Sequence, residues 1–449
     1  MIIFIYTTLI FLYLLSVFAY IPGLNYVIGA MAVLALIMSS VRARGLYFIS
    51  GICFLAGAIF LFLFSSKPWY SILDHFDSML GMLSLFLFLP FLNSIVRVGH
   101  YDTNLNSLLR KNVVQVSHLY KRSFLVSHLL GVFLNIATIP LLRNSLNPTL
   151  NQLPPNTANK FLSQSLLRAY ALCLTWSPME VMVSTALDIT GTNYYQIILP
   201  IVLIVIIIAG FDWAISKFTY RHSSLSFPKA EQVAGAKIRK KLLEMMFMLL
   251  VIVTLASLIQ HFFQKGFLVS IVLLIIPVSF LWAFIIKKPK MYLTYTIPHW
   301  KERTRGLSNY FFMFLCAGLF VKLLSLSGKL SFLQDAFRQI SDQTLLFYLM
   351  IGCYFLVTSL IGFHPLVSIT LLAELMAPVL PEVSSPSLTI VLITCSLATV
   401  MYSPFNLSLS ILADLIKLNP FKITYWNIKF SIFYMIFGIM IAYSIHSFL

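Results

Sequence analysis

Charge is what this sequence has least of. Only 10% of its 449 residues are Asp, Glu, Lys or Arg, against about 25% in an ordinary soluble domain. That is too little to clothe a water-exposed surface of this size, so a soluble globular protein is excluded. Acid is scarcest, at 14 Asp and Glu against 31 Lys and Arg. The five cysteines (Cys53, Cys173, Cys316, Cys353 and Cys395) all fall inside apolar runs, with no metal-site or redox spacing. They are expected to be small buried hydrophobes. His128, His261, His364 and His446 stand singly, and no Ser/His, metal or paired-carboxylate motif is present. The chain is therefore expected not to be an enzyme, and to need no metal or organic cofactor. The first apolar run lacks a basic leader and a small-residue cleavage site, so it reads as a span and not as a signal peptide.

Apolar sequence is what the chain has in excess: 59% of residues are hydrophobic and the mean hydropathy is +0.91. Residues 2–20, 24–41, 46–66, 79–97, 195–215, 243–264, 267–287, 306–326, 345–363 and 428–447 are apolar runs, each near the roughly 20 residues that cross a hydrocarbon core. The expectation is an all-α polytopic membrane protein with about 10–12 transmembrane segments.

The net charge of +17 is concentrated in loops. Loop 97–122 holds Arg97, Arg110, Lys111, Lys121 and Arg122; loop 216–241 holds Lys217, Arg221, Lys229, Lys237, Arg239, Lys240 and Lys241. Loop 287–305 holds Lys287, Lys288, Lys290, Lys301, Arg303 and Arg305, and Arg42 and Arg44 form a short basic turn. Such loops stay cytoplasmic. The charge is expected to be topogenic, near anionic membrane lipid, with no nucleic-acid partner. Counting spans from these anchors gives a multi-pass protein of the cytoplasmic (inner) membrane with its N-terminus inside.

Between loops 97–122 and 216–241 the crossings must be even in number. Three apolar stretches lie there, 124–142, 162–189 and 195–215, so one of them must be re-entrant or broken. Irregular backbone at membrane depth needs protein or a water-filled cavity around it. The region also repeats. At an offset of 226, Ser177, Pro178, Ser184, Asp188 and Asn193 match Ser403, Pro404, Ser410, Asp414 and Asn419. These are five identities in seventeen positions, where about one is expected by chance. Pro155 and Pro381 share the offset, but matching 124–142 to 360–380 needs a gap. Copy one is entered from a basic loop, and copy two follows a span that leaves one. The copies are therefore expected to be two inverted-topology repeats with broken helices and re-entrant hairpins. The expected division is 1–96, N-terminal helices; 97–216, repeat one; 217–305, basic loops and linking helices; and 306–449, repeat two.

In each copy an apolar run meets Ser-Pro and then continues. The residue before proline leaves the α region, and proline cannot complete the preceding ladder. Serine caps helices and proline favours the first helical position. A new half-helix is thus expected from Ser177 and from Ser403, with Ser177 and Glu180 as a capping box. Polar residues at offsets 0, 3, 7 and 11 are Ser177, Glu180, Ser184 and Asp188 in one copy, and Ser403, Asn406, Ser410 and Asp414 in the other. On a continuous helix they share an arc of about 80°. Intramembrane acids are functional candidates. A half-helix N-terminus at the midplane offers free N–H groups to an anion, while hydroxyls and unwound carbonyls suit Na⁺ or a proton. The candidate site is therefore Ser177, Pro178, Glu180, Ser184, Asp188, Ser403, Pro404, Asn406, Ser410 and Asp414. Asn135, Thr138, Ser368 and Thr370 join it as polar groups of the preceding segments, and Na⁺ is expected at the same positions. Arg168 has two readings, snorkelling to the interface or neutralising a substrate carboxylate.

The duplicated broken helix after a re-entrant segment, over roughly 97–216 and 320–449, resembles the ion transporter superfamily. That group includes divalent-anion/sodium symporters, arsenite permeases and Na⁺/H⁺ antiporters. The resemblance implies a scaffold and a transport domain, an elevator-like movement and a homodimer. In the symporters each hairpin tip carries Ser-Asn-Thr; here Leu134-Asn135-Ile136-Ala137-Thr138 and Val367-Ser368-Ile369-Thr370 are partial echoes. The functional expectation is a secondary active transporter moving a small anionic solute, a carboxylate foremost, coupled to Na⁺ or H⁺. The alternatives are a cation/proton antiporter, or a flippase or exporter of a lipid-linked or amphipathic substrate.

Overall fold

An apolar helix meets every backbone hydrogen bond internally, the condition for crossing hydrocarbon, and the computed structural model of this chain is built from such helices. It describes residues 1–65, 67–106, 109, 115–221, 235–383 and 385–446. Arg110, Lys111 and Lys229 of the expected basic loops lie outside them. Among the described residues 10 helices are long and apolar enough to span a membrane. Two of these, Val116–Leu150 and Ser385–Ile416, are interrupted. Ile2–Phe18 and Leu24–Ser40 are apolar helices of 17 residues each.

The chain divides into two compact units of non-consecutive segments. The first comprises Met1–Val98, Thr254–Asp342 and Leu366–Glu382. Here Ser308–Leu326 packs along Gly45–Leu63 and Leu24–Ser40, and the Tyr6 ring stacks on Phe311 at 3.7 Å. The expected basic loop 287–305 is mostly a helix, Pro289–Arg305. Its basic residues alternate with aromatic and aliphatic ones, which gives it a face to lay on Leu80–Val98. The Tyr292 hydroxyl donates to the Phe91 carbonyl at 3.2 Å, and Trp300 Nε1 donates to the Leu87 carbonyl at 3.1 Å. Pro90 lies inside that helix and loosens its ladder there. Two cysteines also depart from expectation: Cys53 and Cys353 are exposed on their helices, whereas Cys173, Cys316 and Cys395 are buried. A membrane helix is apolar on its outward face as well, so an apolar run does not decide burial.

The second unit comprises Gly99–Val253, Gln343–Pro365 and Val383–Leu449. Its first repeat opens with a hairpin. Helix Val116–Leu134 ends at Asn135, whose φ of 50° and ψ of −136° reverse the chain into Thr138–Leu150. The chain doubles back toward the helix that precedes the hairpin, where Asn106 Nδ2 donates to Ser145 Oγ at 2.7 Å. The re-entrant member of the three apolar stretches is thus the first. A broken helix follows, Pro155–Leu162, a π turn Ser163–Arg168, Ala169–Thr175 and, after a gap, Val181–Thr190; helix Tyr194–Thr219 then closes the repeat. The second repeat contributes Thr344–Ile361, the broken pair Ser385–Tyr402 and Leu407–Ile416, and the closing helix Pro420–His446.

Val116–Leu134 runs beside the broken helix in the same direction. Tyr120 meets Phe161 edge-on, and Ser127 Oγ donates to the Leu166 carbonyl. At Gly131 the approach leaves no room for a side chain. A Cβ there would stand 2.4 Å from Cys173 Sγ and 3.3 Å from Tyr170 Cδ2.

Arg168 neither snorkels nor stands free for a substrate: it is 4% exposed and fully engaged. Nη1 pairs with Asp212 Oδ1 at 2.6 Å, Nε donates to Asn427 Oδ1 at 3.0 Å, and Nη2 donates to the Trp426 carbonyl at 3.1 Å. Tyr120 Oη donates to the second Asp212 oxygen at 2.7 Å. The Phe430 ring lies 4.3 Å from the guanidinium carbon. The π turn explains the register. Residues five apart stand about 140° apart on an α-helix, but the wider π turn brings Ser163 and Arg168 both to Asn427, whose Nδ2 donates to Ser163 Oγ at 2.7 Å.

Breaking a buried pair from one side strands the other charge, so Arg168→Met or Asp212→Leu alone is expected to cost about 3–5 kcal/mol. The double variant should recover most of that in thermal unfolding of the detergent-purified protein. Gly131→Ala should cost about 1–3 kcal/mol by overpacking, and adding Cys173→Ala should relieve it.

Candidate functional site

The Ser-Pro sequences break both helices, but the break is longer than proline alone requires. The Glu180 amide donates to the Ser177 carbonyl at 3.1 Å, and the Asn406 amide donates to the Ser403 carbonyl at 3.1 Å. Each Ser-Pro pair therefore begins a tight turn, with proline in its favoured second place. Helix resumes only at Val181 and at Leu407, so the N-caps are Glu180 (φ −85°, ψ 127°) and Asn406 (φ −75°, ψ 138°). The expected capping box at Ser177 does not form, because Ser177 to Glu180 is turn and not first helical turn. Asn406 Oδ1 accepts from the Ser408 amide at 3.1 Å and from Ser408 Oγ at 2.8 Å.

Two kinds of bond recur at both breaks. Ser184 Oγ donates to the Pro178 carbonyl at 3.2 Å, and Ser410 Oγ donates to the Pro404 carbonyl at 3.3 Å. Each break also frees the carbonyl of the aromatic residue before Ser-Pro, and the closing helix of the repeat satisfies it. The Tyr194 hydroxyl donates to the Trp176 carbonyl, and Thr424 Oγ1 donates to the Tyr402 carbonyl at 2.7 Å. Such carbonyls cost free energy at membrane depth if left unpaired.

The expected polar stripe is divided. Ser177 and Ser403 are 1% and 0% exposed, and Glu180 and Asn406 are 8% and 7% exposed. Pro178, Pro404 and Ser184 are buried too, with Ser410 intermediate. Asp188 and Asp414 are exposed at the far ends of their half-helices, away from the buried breaks. A single arc assumed helix from the serine onward, and the four-residue turn removes that assumption.

Each hairpin tip meets the break of its own repeat. The Glu180 carboxylate comes near the Asn135 side chain and the Met182 amide without closing a side-chain cap. Asn135 Oδ1 accepts from the Ile136 amide at 2.7 Å and from the Tyr170 hydroxyl. Three residues on, Thr138 Oγ1 is fully buried with no protein partner. In repeat two the chain turns at Gly362, whose φ of 114° suits glycine alone. The Phe405 ring of the break lies 3.8 Å from where a Cβ of Gly362 would stand. The helices that follow the two turns start at Thr138 and Pro365, 227 residues apart against 226 for the breaks, so the missing gap is one residue. Ser368 and Thr370 belong to the first unit. The Thr370 hydroxyl bonds its own helix at the Leu366 carbonyl, 2.9 Å away.

The two broken helices pack on one another and run antiparallel. Thr190 meets Thr389; thirteen residues before the one is Ser177, and thirteen after the other is Tyr402, beside Ser403. Among the groups that sequence reading passed over, Asp212 was open to it, as an acid inside an apolar run. Tyr170, Tyr194 and Thr424 carried no local signal.

No protein-family model matches the chain, and no curated protein matches it. Among solved structures it is similar to the YdaH transporter of Alcanivorax borkumensis, whose topology is unusual, with 12% identity, 89% of this chain and 98% of that chain covered, and a TM-score of 0.59. It is also similar to MtrF of Neisseria gonorrhoeae, from a class of antimetabolite efflux pumps, with 12% identity, 88% and 93% covered, and a TM-score of 0.54. The chain has the fold of these two membrane transport proteins.

Proposed function

We propose that this chain is a secondary active transporter of the cytoplasmic membrane that moves a small anionic solute, coupled to Na⁺ or H⁺. The observation that carries this reading is the matched pair of buried breaks, each with a half-helix N-terminus and a hairpin tip against it. A half-helix N-terminus presents free amides and a positive partial charge to an anion. Glu180 partly cancels that charge in repeat one, so the Asn406 end is the anion-binding end and Glu180 serves the coupling ion. The fold it shares with two transporters supports transport, and the efflux role of MtrF supports export as its direction. In the elevator-like cycle the resemblance implies, the unit holding both breaks is the one that travels, and a homodimer is its expected assembly. A second reading, a cation/proton antiporter, is favoured by one observation: Glu180 is 8% exposed beside a hairpin tip, as a proton carrier would be.

A thermal-shift screen of the purified protein against small anions, with Na⁺ exchanged for choline and pH varied, separates these readings. A true substrate at about 100 times its Kd stabilises the native state by about 2.7 kcal/mol. The expected outcome is an anion that raises the melting temperature of the wild type but not of Asn406→Ala. Stabilisation by Na⁺ or pH without any anion would favour the antiporter. A response to neither would point to an amphipathic substrate.

A further inference from the structure

The C-terminal ends of the two half-helices differ in their chemistry. Half-helix two ends at Ile416 with Lys417 as a left-handed cap (φ 53°), and Arg143 Nη2 donates to the Leu415 carbonyl at 3.0 Å. The negative end of that dipole is thus met by cations of the chain itself. Half-helix one ends at Thr190 with Gly191 in the equivalent cap position (φ 65°), and the sequence holds no Lys or Arg between Arg168 and Lys217.

Oxygen gathers there instead. Thr190 Oγ1 lies 2.7 Å from Thr389 Oγ1 and 3.0 Å from Thr192 Oγ1. Thr389 Oγ1 is 2.9 Å from Thr192 Oγ1. The Ala186 carbonyl is 2.9 Å from Thr190 Oγ1, and the Ser385 carbonyl is 2.6 Å from Thr389 Oγ1. Thr192 and Thr389 are buried, and Thr190 remains partly exposed as a way in.

These five oxygens make five contacts of 2.6–3.0 Å. A hydroxyl brings one proton and a carbonyl none, so the cluster holds three. Each hydroxyl proton can be given in full to one contact, so two of the five are left without a proton of their own. A cation removes that deficit, and in the other repeat Arg143 and Lys417 supply it at the same end.

We propose that Thr190, Thr192 and Thr389, with the Ala186 and Ser385 carbonyls, form a binding site for a hard monovalent cation, Na⁺. Every donor is a neutral oxygen, whereas Ca²⁺ sites draw on carboxylates. Carbonyl-bearing C-terminal ends of half-helices suit Na⁺. As a coupling ion this Na⁺ rests on the transport reading; as a bound ion it does not.

The test is thermal unfolding of the purified full chain, titrated with NaCl against choline chloride at equal ionic strength. The wild type should show a saturable rise with Na⁺. Thr389→Val keeps the shape and removes one oxygen, and it should raise the half-saturating Na⁺ concentration about tenfold, a loss of about 1.4 kcal/mol. Thr389→Ser should keep the wild-type response. Thr192→Val, just beyond the helix end, is the second variant should Thr389→Val not fold. A wild type indifferent to Na⁺, or Thr389→Val and Thr192→Val titrating like wild type, overturns the site. If the Na⁺ titration persists while no anion stabilises or moves through the protein, the anion-transport reading fails and the site stands.

Discussion

The ion pair between Arg168 and Asp212 is the constraint around which the second unit is arranged. A charge deep among apolar helices is tolerated only when paired and hydrogen-bonded, and every nitrogen of this guanidinium has a partner. Those partners come from both repeats. Tyr120 and Asp212 belong to the hairpin and closing helix of repeat one, while Trp426 and Asn427 belong to the closing helix of repeat two. The broken helix of repeat one is thus held by groups from both repeats. Tyr434, whose hydroxyl lies 2.7 Å from Thr175 Oγ1, joins the same two helices close to the first break.

What the sequence disclosed, and what it concealed, follows the range of the interactions. Ser-Pro interrupts a helix through the local backbone, so both breaks and their 226-residue offset were legible. The restart at Glu180 and Asn406 was less so, because proline opens either a helix or a turn and only the tertiary setting chooses. Pairings such as Arg168 with Asp212 and Asn427 span 44 and 259 residues, and nothing local announces them. The hairpin register was hidden by one residue between tip and break, enough to defeat a fixed-offset comparison. The helix at 289–305 looked like a loop because its charge drew notice ahead of the aromatic residues that dock it.

The repeats share a backbone plan and differ in what they hang on it. One N-cap is a carboxylate and the other an amide. At the opposite ends, one half-helix meets Arg143 and Lys417 and the other meets three hydroxyls. The first break sets Trp176 on His128 through an indole hydrogen bond of 2.9 Å, while the second ties Tyr402 to Ser359 at 3.0 Å. The turn geometry is common to both repeats, and the groups that cap it are not.

Proline is usually where a membrane helix bends, and a double break invites the picture of a pair of hinges. The bonds to the Trp176 and Tyr402 carbonyls argue against it. Each closes a ring of chain, 18 residues from Trp176 to Tyr194 and 22 from Tyr402 to Thr424, and clasps the elbow to the helix that follows. Each elbow is thereby tied to the helix that follows it and is not held by its own backbone alone.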